Sequence, residues 1–261
     1  MKKVLITGAN SYIGMSFEAW AKKEHPGEFQ IDTVDMIDGS WREKSFAGYD
    51  AVFHVAAIVH KKEKPEMKKL YWQVNKELPV EVAKKAKAEG VGQFVFMSSM
   101  SVYGVNVGEI TQKTKAAPKT FYGKSKLAAE KELRKLKDGA FSVVVLRPPM
   151  VYGEGCRGNY QLLKKFTLKS PIFPKYENKR SMISVDNLCK FVYETIEERK
   201  EGLYFPQDSQ YVCTANMVKE IAEQNGKKIC LVSIFNPLIK MGLKMRISII
   251  EKMFGNLFYT K

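Results

Sequence analysis

Apolar residues recur along this chain in two rhythms. Unbroken runs at Val4–Ile6, Asp50–Ala57, Phe94–Met97 and Phe141–Leu146 alternate with longer stretches in which apolar side chains return every three or four positions. The runs predict strands buried on both faces, and the longer stretches predict amphipathic helices. Met15–Lys23 carries Phe17 and Trp20 at helical spacing. A helix is expected over roughly 66–88, with Leu70, Val74, Leu78 and Val82 on one face, its many lysines in water, and a stop at Gly90. Further helices are expected from Tyr122, from Asn159 and over Asn187–Glu197, and Gly202–Pro206 reads as a short strand. Strand and helix alternate through about residue 150, which predicts an α/β fold with a doubly wound parallel sheet. The span from Gly14 to Asp50 is short for its share of that pattern, so one strand or helix is expected to be missing or abbreviated. His60–Pro65 reads as a charged, proline-broken loop.

The first strand runs into Thr7-Gly8-Ala9-Asn10-Ser11-Tyr12-Ile13-Gly14 and then a helix. Strand, glycine turn and helix N-terminus together make a site for a pyrophosphate, with Gly8 for the tight turn and Gly14 for close helix–strand packing. An ordinary strand-to-helix turn has the same spacing. Asp35 lies 21 residues after Gly14, where an acid would meet an adenosine ribose. Asp35 as the ribose acid, Asp38 as an adenine contact, or both, fit the sequence. A ribose acid repels a 2′-phosphate and argues for NAD, without excluding NADP. Val55, Ala56 and Ala57 end a buried strand and are small enough for a cofactor to lie against the backbone. His54 reads as a core histidine with a satisfied nitrogen. Asn75, on an otherwise apolar face, needs hydrogen-bond partners.

Ser98-Ser99 falls at the carboxyl end of the Phe94–Met97 strand, where ligands bind in open α/β sheets. Ser99 is thus placed to bond a substrate hydroxyl or carbonyl, and Tyr103 is expected to line the same cleft. Tyr122 and Lys126 are four residues apart and share a helix face. A lysine beside a phenol favours phenolate, which suits a tyrosine that exchanges a proton while a cofactor moves hydride. Pro148 closes the next strand.

Composition narrows the partners. The chain has 261 residues, 45% of them hydrophobic, and a net charge of +15. Solvated helix lysines, attraction of a phosphate-bearing small substrate, and contact with an anionic membrane surface are the three readings of that charge. No nucleic-acid-binding signature appears. No run of about 18 apolar residues exists to span a membrane, and the apolar run behind Met1 is too short for a signal peptide. Cys156, Cys189, Cys213 and Cys230 show no metal spacing and read as reduced thiols of a cytoplasmic protein. Pro237–Phe254 interleaves Leu238, Ile239, Met241, Leu243, Met245, Ile247, Ile249, Ile250 and Met253 with Lys240, Lys244, Arg246 and Lys252. It reads as one or two helices packed on a lobe, with a membrane-surface or partner-docking helix as the competing reading.

Taken in order, these pieces resemble the extended short-chain dehydrogenase/reductase family, in particular its nucleotide-sugar epimerases and dehydratases. The motifs that carry the likeness are the Thr7–Gly14 turn, Asp50–Ala57, Asn75, Phe96–Gly104, Tyr122–Lys126, Leu146–Gly153 and Arg180–Leu188. The resemblance implies a Rossmann domain over 1–153 and a small, mostly helical substrate lobe over 154–261, with some segments returning to the main sheet. It implies a dinucleotide held by Gly8, Asn10, Ser11, Tyr12, Ile13, Gly14, Asp35, Asp38, Val55, Ala56, Ala57, Asn75 and Pro148. Tyr122 would be the acid/base, Lys126 would bind the nicotinamide ribose and lower the tyrosine's pKa, and Ser99 would bridge to the sugar. Ser101 and Asn159 would meet the substrate, Arg180 its diphosphate, and the enzyme would be a homodimer. The implied reaction is 4-epimerisation of a nucleotide sugar. Alternatives are a net 4-keto reductase, the same chemistry on a lipid-linked sugar diphosphate (prompted by the basic 237–254 stretch), and a non-catalytic cofactor-binding protein. A dehydratase is disfavoured, because Ser98-Ser99-Met100 offers no Asp-Glu pair. Three features depart from the family pattern: Ser11 replaces a glycine, Met150 stands where UDP-hexose 4-epimerases usually carry asparagine, and the second lobe is short, with Gly255–Lys261 like a family terminal segment cut off early.

Overall fold

Val4, Leu5 and Ile6 have nothing to offer water, and none of them has exposed surface. They form the middle of β1 (Lys2–Thr7), the first strand of the computed structural model, which describes residues 1–59, 63–156 and 158–260. His60, Lys61 and Lys62 of the expected charged loop lie outside the described residues. In chain order β1 is followed by α1 (Tyr12–Glu24), β2 (Phe29–Val34), β3 (Ala51–His54), α2 (Lys68–Trp72), α3 (Leu78–Ala88) and β4 (Gln93–Met97). Next come β5 (Gly108–Ile110), α4 (Phe121–Arg134), β6 (Ser142–Leu146), β7 (Met150–Tyr152), α5 (Asn159–Lys169), β8 (Ile172–Pro174) and β9 (Met182–Ser184). The remaining elements are α6 (Val185–Glu197), β10 (Gly202–Tyr204), α7 (Thr214–Gln224), β11 (Cys230–Val232), α8 (Asn236–Lys244), α9 (Ser248–Phe254) and β12 (Leu257–Tyr259).

These elements form two compact units, each assembled from three stretches of chain. The first takes residues 1–104, 116–149 and 184–206, and the second takes 105–115, 150–183 and 207–261.

The first unit is built on a parallel six-stranded sheet in the order β10-β6-β4-β3-β1-β2. In register, Ile6 faces Phe53, Phe53 faces Val95, and Val95 faces Val144. All four are fully buried, each contributing roughly 1.5–3 kcal/mol of transfer free energy. α1 lays Phe17 and Ala21 inward, is capped by Ser11 and ends in Lys22 and Lys23. α6 buries Leu188, Cys189, Val192 and Ile196 and packs against α1. The abbreviation expected between Gly14 and Asp50 falls after β2. A 3-10 turn at Ser40–Arg42 separates β2 from β3, so β2 is the sheet edge, and among the described residues no strand lies beyond it.

The helix expected over 66–88 is not uniform. It opens as a 3-10 turn at Pro65–Met67 and widens into a π turn at Gln73–Glu77 between α2 and α3. Pro79 lacks the amide that would bond back to the Asn75 carbonyl, which accounts for the widened turn there.

The second unit holds three two-stranded sheets, β5 with β12, β8 with β11, and β7 with β9. The first two pair in parallel. Phe173, Ala215, Val218, Ile239 and Phe254 form one core, and Met182, Met217 and Ile221 another. Met150, one of the departures from the family pattern, packs against the second core. Among the described residues no helix is long and apolar enough to cross a membrane.

Candidate active site

Strand order reverses between β1 and β3, because the chain winds from β1 to β2 on one side and returns to β3 on the other. Such a reversal opens a crevice at the strands' carboxyl ends. The Thr7–Gly14 turn sits there. Gly8 has φ +115, and a Cβ on it would stand 2.8 Å from the Ala56 amide nitrogen. That closeness arises because Val55 and Ala56 both donate their N–H to the Thr7 carbonyl, at 3.1 and 3.0 Å. The result is bare backbone at the mouth of the crevice. Ser11, in place of the usual glycine, has extended backbone (φ −71) and its Oγ accepts the Gly14 amide at 3.2 Å. The left-handed position falls on Asn10 instead (φ 63). Tyr12 and Ile13 form the first turn of α1.

Asp35 follows β2 directly and accepts the Ile37 amide at 2.6 Å. Asp38 is exposed, and its carboxylate accepts the Ser40 hydroxyl and amide, which hold it below the usual carboxylate range. Asn75 is fully buried in the π turn and clamps one residue of the loop that follows β3. Its Oδ1 accepts the Ile58 amide at 2.8 Å and its Nδ2 donates to the Ile58 carbonyl at 3.0 Å. His54 pairs through Nδ1 with Thr7 Oγ1 at 2.8 Å, but among the described residues its buried Nε2 has no hydrogen-bond partner. The expectation of a core histidine with a satisfied nitrogen thus holds, and burial pushes its pKa down to about 3.

Ser99 lies one residue beyond Ser98, which follows β4. Its Oγ accepts the Ser101 amide at 3.1 Å, capping a 3-10 turn, and donates to Ser101 Oγ at 3.0 Å. The same hydroxyl lies close enough to the Tyr122 phenol to act on its ionisation. Gly123 makes this approach possible, since a Cβ there would lie 2.6 Å from the Ser101 carbonyl oxygen. Loss of water around the phenol pushes its pKa up to about 12, with the Ser99 hydrogen bond opposing. One helical turn on, Lys126 is 1% exposed. Its Nζ donates to the Met97 carbonyl at 2.8 Å and lies 4.5 Å over the Phe96 ring, and burial pushes it down to about 7. The ammonium is therefore turned to the end of β4, while the phenol has Ser99 as a neighbour. Pro148 is buried just past β6, and its carbonyl accepts the Met100 amide at 2.9 Å.

Tyr103, expected in the cleft, is 3% exposed. Its hydroxyl accepts from Arg147 Nη1 at 2.9 Å, and Arg147 Nε donates to Glu130 Oε1 at 3.0 Å. Ser98 Oγ donates to the same Glu130 oxygen. A charge pair inside the core needs such a complete set of partners, and the tyrosine is consumed in completing it. Sequence reasoning passed over Glu130 and Arg147. The available signal was an acid on the buried face of α4, eight residues after Tyr122, beside Ala129 and Leu133. Glu63 was also missed. Its carboxylate accepts the Phe121 and Tyr122 amides at 2.8 and 2.9 Å, while Thr120 Oγ1 accepts Gly123. A carboxylate there satisfies orphan donors and suits the positive end of the helix dipole.

In the second unit, Asn159 is the exposed first residue of α5. Arg180 donates through Nη1 to the Gly255 carbonyl at 2.9 Å, at the end of α9, and burial lowers its pKa to about 10. The four cysteines are free thiols.

A doubly wound parallel sheet with a glycine turn at its strand-order reversal, and a Ser–Tyr–Lys cluster beyond β4, defines a Rossmann-type α/β domain of the short-chain dehydrogenase/reductase class. More narrowly, the chain belongs to the NAD dependent epimerase/dehydratase family, whose model matches residues 4–205. It is 36% identical over 182 residues to a UDP-glucose 4-epimerase of Vibrio cholerae, covering 66% of this chain and 56% of that protein. It is 30% identical over 215 residues to the N-acetyl-alpha-D-glucosaminyl-diphospho-ditrans,octacis-undecaprenol 4-epimerase of Escherichia coli O157:H7, covering 80% of this chain and 64% of that protein. The chain thus spans less than two thirds of either relative's length. Among solved structures, a dTDP-4-dehydrorhamnose reductase of Clostridium acetobutylicum superposes with a TM-score of 0.72 at 21% identity, covering 88% of this chain and 82% of that one. A UDP-glucuronic acid 4-epimerase of Bacillus cereus, solved in complex with NAD, gives 0.71 at 18% identity, covering 88% and 85%. These two speak for the shared fold.

Proposed function

We propose that this chain is an NAD(P)-dependent nucleotide-sugar 4-epimerase that oxidises a sugar hydroxyl transiently, with Tyr122 as acid and base. The observation that carries the reading is the Ser99–Tyr122 contact one helical turn from buried Lys126. Family membership and the 4-epimerase relatives support the reaction class.

The residues fit a dinucleotide. The backbone between Gly8 and Ala56 carries no side chain that would block a pyrophosphate, and Asn10, Ser11, Tyr12, Ile13 and Gly14 lead into the positive end of α1. Asp35 beyond β2 is assigned to the adenosine ribose, with exposed Asp38 beside the adenine. Val55, Ala56, Ala57 and Pro148 would line the nicotinamide half, and Asn75 acts through Ile58. A bound nicotinamide supplies the acceptor and donor of hydride. Tyr122 takes the proton of the sugar hydroxyl and later returns it. Ser99 holds that hydroxyl against the phenol. Lys126 is assigned to the ribose, and its protonated form favours phenolate. Ser101 and Asn159 are assigned to the substrate, and the Arg180 donors other than Nη1, which is spent on the Gly255 and Glu251 carbonyls, to its diphosphate. The enzyme is assigned as a homodimer.

Tyr122→Phe is expected to lower turnover of UDP-hexoses about 100-fold or more while nucleotide binding, read by calorimetry, persists. Unchanged turnover refutes the assignment. NAD retained through purification, read by absorbance and mass spectrometry, supports epimerisation, and net consumption of NADPH with a 4-keto sugar supports a reductase instead. A second reading keeps the chemistry and changes the carrier to a polyprenyl diphosphate. The Escherichia coli relative favours it, and turnover of a polyprenyl-diphosphate sugar alongside UDP-sugars decides between the two.

A further inference from the structure

Helix α8 has two apolar faces and only one core to cover. Ile239, 5% exposed, turns inward with Phe235 to join Phe173 and Phe254. On the other side Ile234, Leu238, Met241 and Met245 are 78%, 59%, 54% and 66% exposed. Ile234 sits in the turn before the helix, and the four are spaced by four, three and four residues, so they make a single stripe. Ile249 on α9 adds a further side chain at 67% exposure. A helix that had only to seal a core would carry polar residues on this side.

The charge carried by the segment that holds the stripe is of one sign. Between Gln224 and Ile250 the chain carries Lys227, Lys228, Lys240, Lys244 and Arg246 and no acid. The next acid, Glu251, is 8% exposed. All five cations are exposed, as is Lys252.

We propose that the outer face of α8 and α9 docks on an anionic phospholipid bilayer. Its apolar stripe would enter the boundary between headgroups and acyl chains, and the flanking cations would meet anionic headgroups. Short apolar stripes edged by Lys and Arg lie in the interface plane, and no described helix is suited to crossing it. A second copy of the chain fits the same face poorly. A two-fold contact sets each patch against its own likeness, so the cations of one would meet those of the other with no acid between. Docking here is independent of the reaction proposed above, whose Ser99, Tyr122 and Lys126 belong to the first unit.

The test is flotation of the full chain with phosphatidylcholine vesicles, with and without phosphatidylglycerol. The protein is expected to float with the anionic vesicles alone and to be released at roughly 0.5 M salt. Lys240→Gln with Lys244→Gln is expected to weaken partitioning about fivefold per charge removed. Leu238→Ser with Met241→Ser and Ile249→Ser is expected to weaken it with every charge kept and with thermal melting unchanged. Absence of flotation with anionic vesicles at low salt overturns the proposal, as does flotation that neither variant alters. A dimer in light scattering that the serine variant alone converts to monomer, with lipid binding intact, assigns the face to a second copy and equally overturns it.

Discussion

Replacing Lys126 by methionine should change how stability depends on pH. Lys126 is 1% exposed, with one carbonyl and one aromatic face for company, and burial pushes its pKa from 10.5 to about 7. Below pH 7 the amine is protonated in both folded and unfolded chains, and the burial penalty is fully felt. Between pH 7 and 10.5 the folded chain sheds the proton while the unfolded chain keeps it, so stability rises with pH. From pH 6 to pH 9 the gain spans about two pH units at 1.36 kcal/mol each, or about 3 kcal/mol. Tyr122, pushed up to about 12, is neutral in both states across this window and adds nothing. Methionine keeps the length of the side chain and removes the proton. Urea unfolding of both proteins without cofactor, at the two pH values, gives the difference directly. The variant's advantage over the parent should shrink by about 3 kcal/mol between pH 6 and pH 9. A difference that does not move with pH means that Lys126 keeps its charge in the folded chain, and the reasoning fails.

Other expectations follow from the same site. Arg147→Met leaves the Glu130 carboxylate with only Ser98 and a 3.7 Å contact to Arg134 and should cost about 3 kcal/mol in denaturant unfolding, part of which Glu130→Gln in the same chain should restore. His54, held down to about 3 from 6.5, contributes stability above pH 6.5 that is lost as pH falls toward 3, up to about 5 kcal/mol. His54→Leu should therefore flatten the acid limb of a circular-dichroism titration, and an unchanged limb would show that the imidazole charges freely. Gly123→Ala places a Cβ against the Ser101 carbonyl and should cost about 1–3 kcal/mol. By parting Tyr122 from Ser99 it should also reduce turnover at temperatures where the variant remains folded.

The sheet and the mouth of the crevice were legible because local sequence decides them. A buried strand, a glycine turn and a capped helix are each written within ten residues, as in Lys2–Glu24, and Ser99 could be placed because it ends an apolar run. The shortening before Asp50 was legible from chain length alone. Tyr103 was misplaced because its environment is set by Arg147, 44 residues away, and by Glu130 on a different element. Glu63 looked like one more charge in a charged loop, and only the approach of α4 makes it a cap. The pairing of β5 with β12 has no local signature, because each strand is three residues long and its partner is distant. Pro237–Phe254 was read correctly as packed helices, yet periodicity alone did not show that two faces of α8 are apolar and that one is bare.

The β5–β12 pairing has a consequence for how the chain is made. Gly108–Ile110 emerges from the ribosome about 150 residues before Leu257–Tyr259, the strand it pairs with, at the slow end of contact formation. The nascent first sheet has its β1–β4 strands at hand much earlier, whereas β5 waits for a partner until β12 has been made. Translation speed across residues 111–256, and chaperone occupancy during that interval, should therefore govern how much of the chain completes the β5–β12 pair.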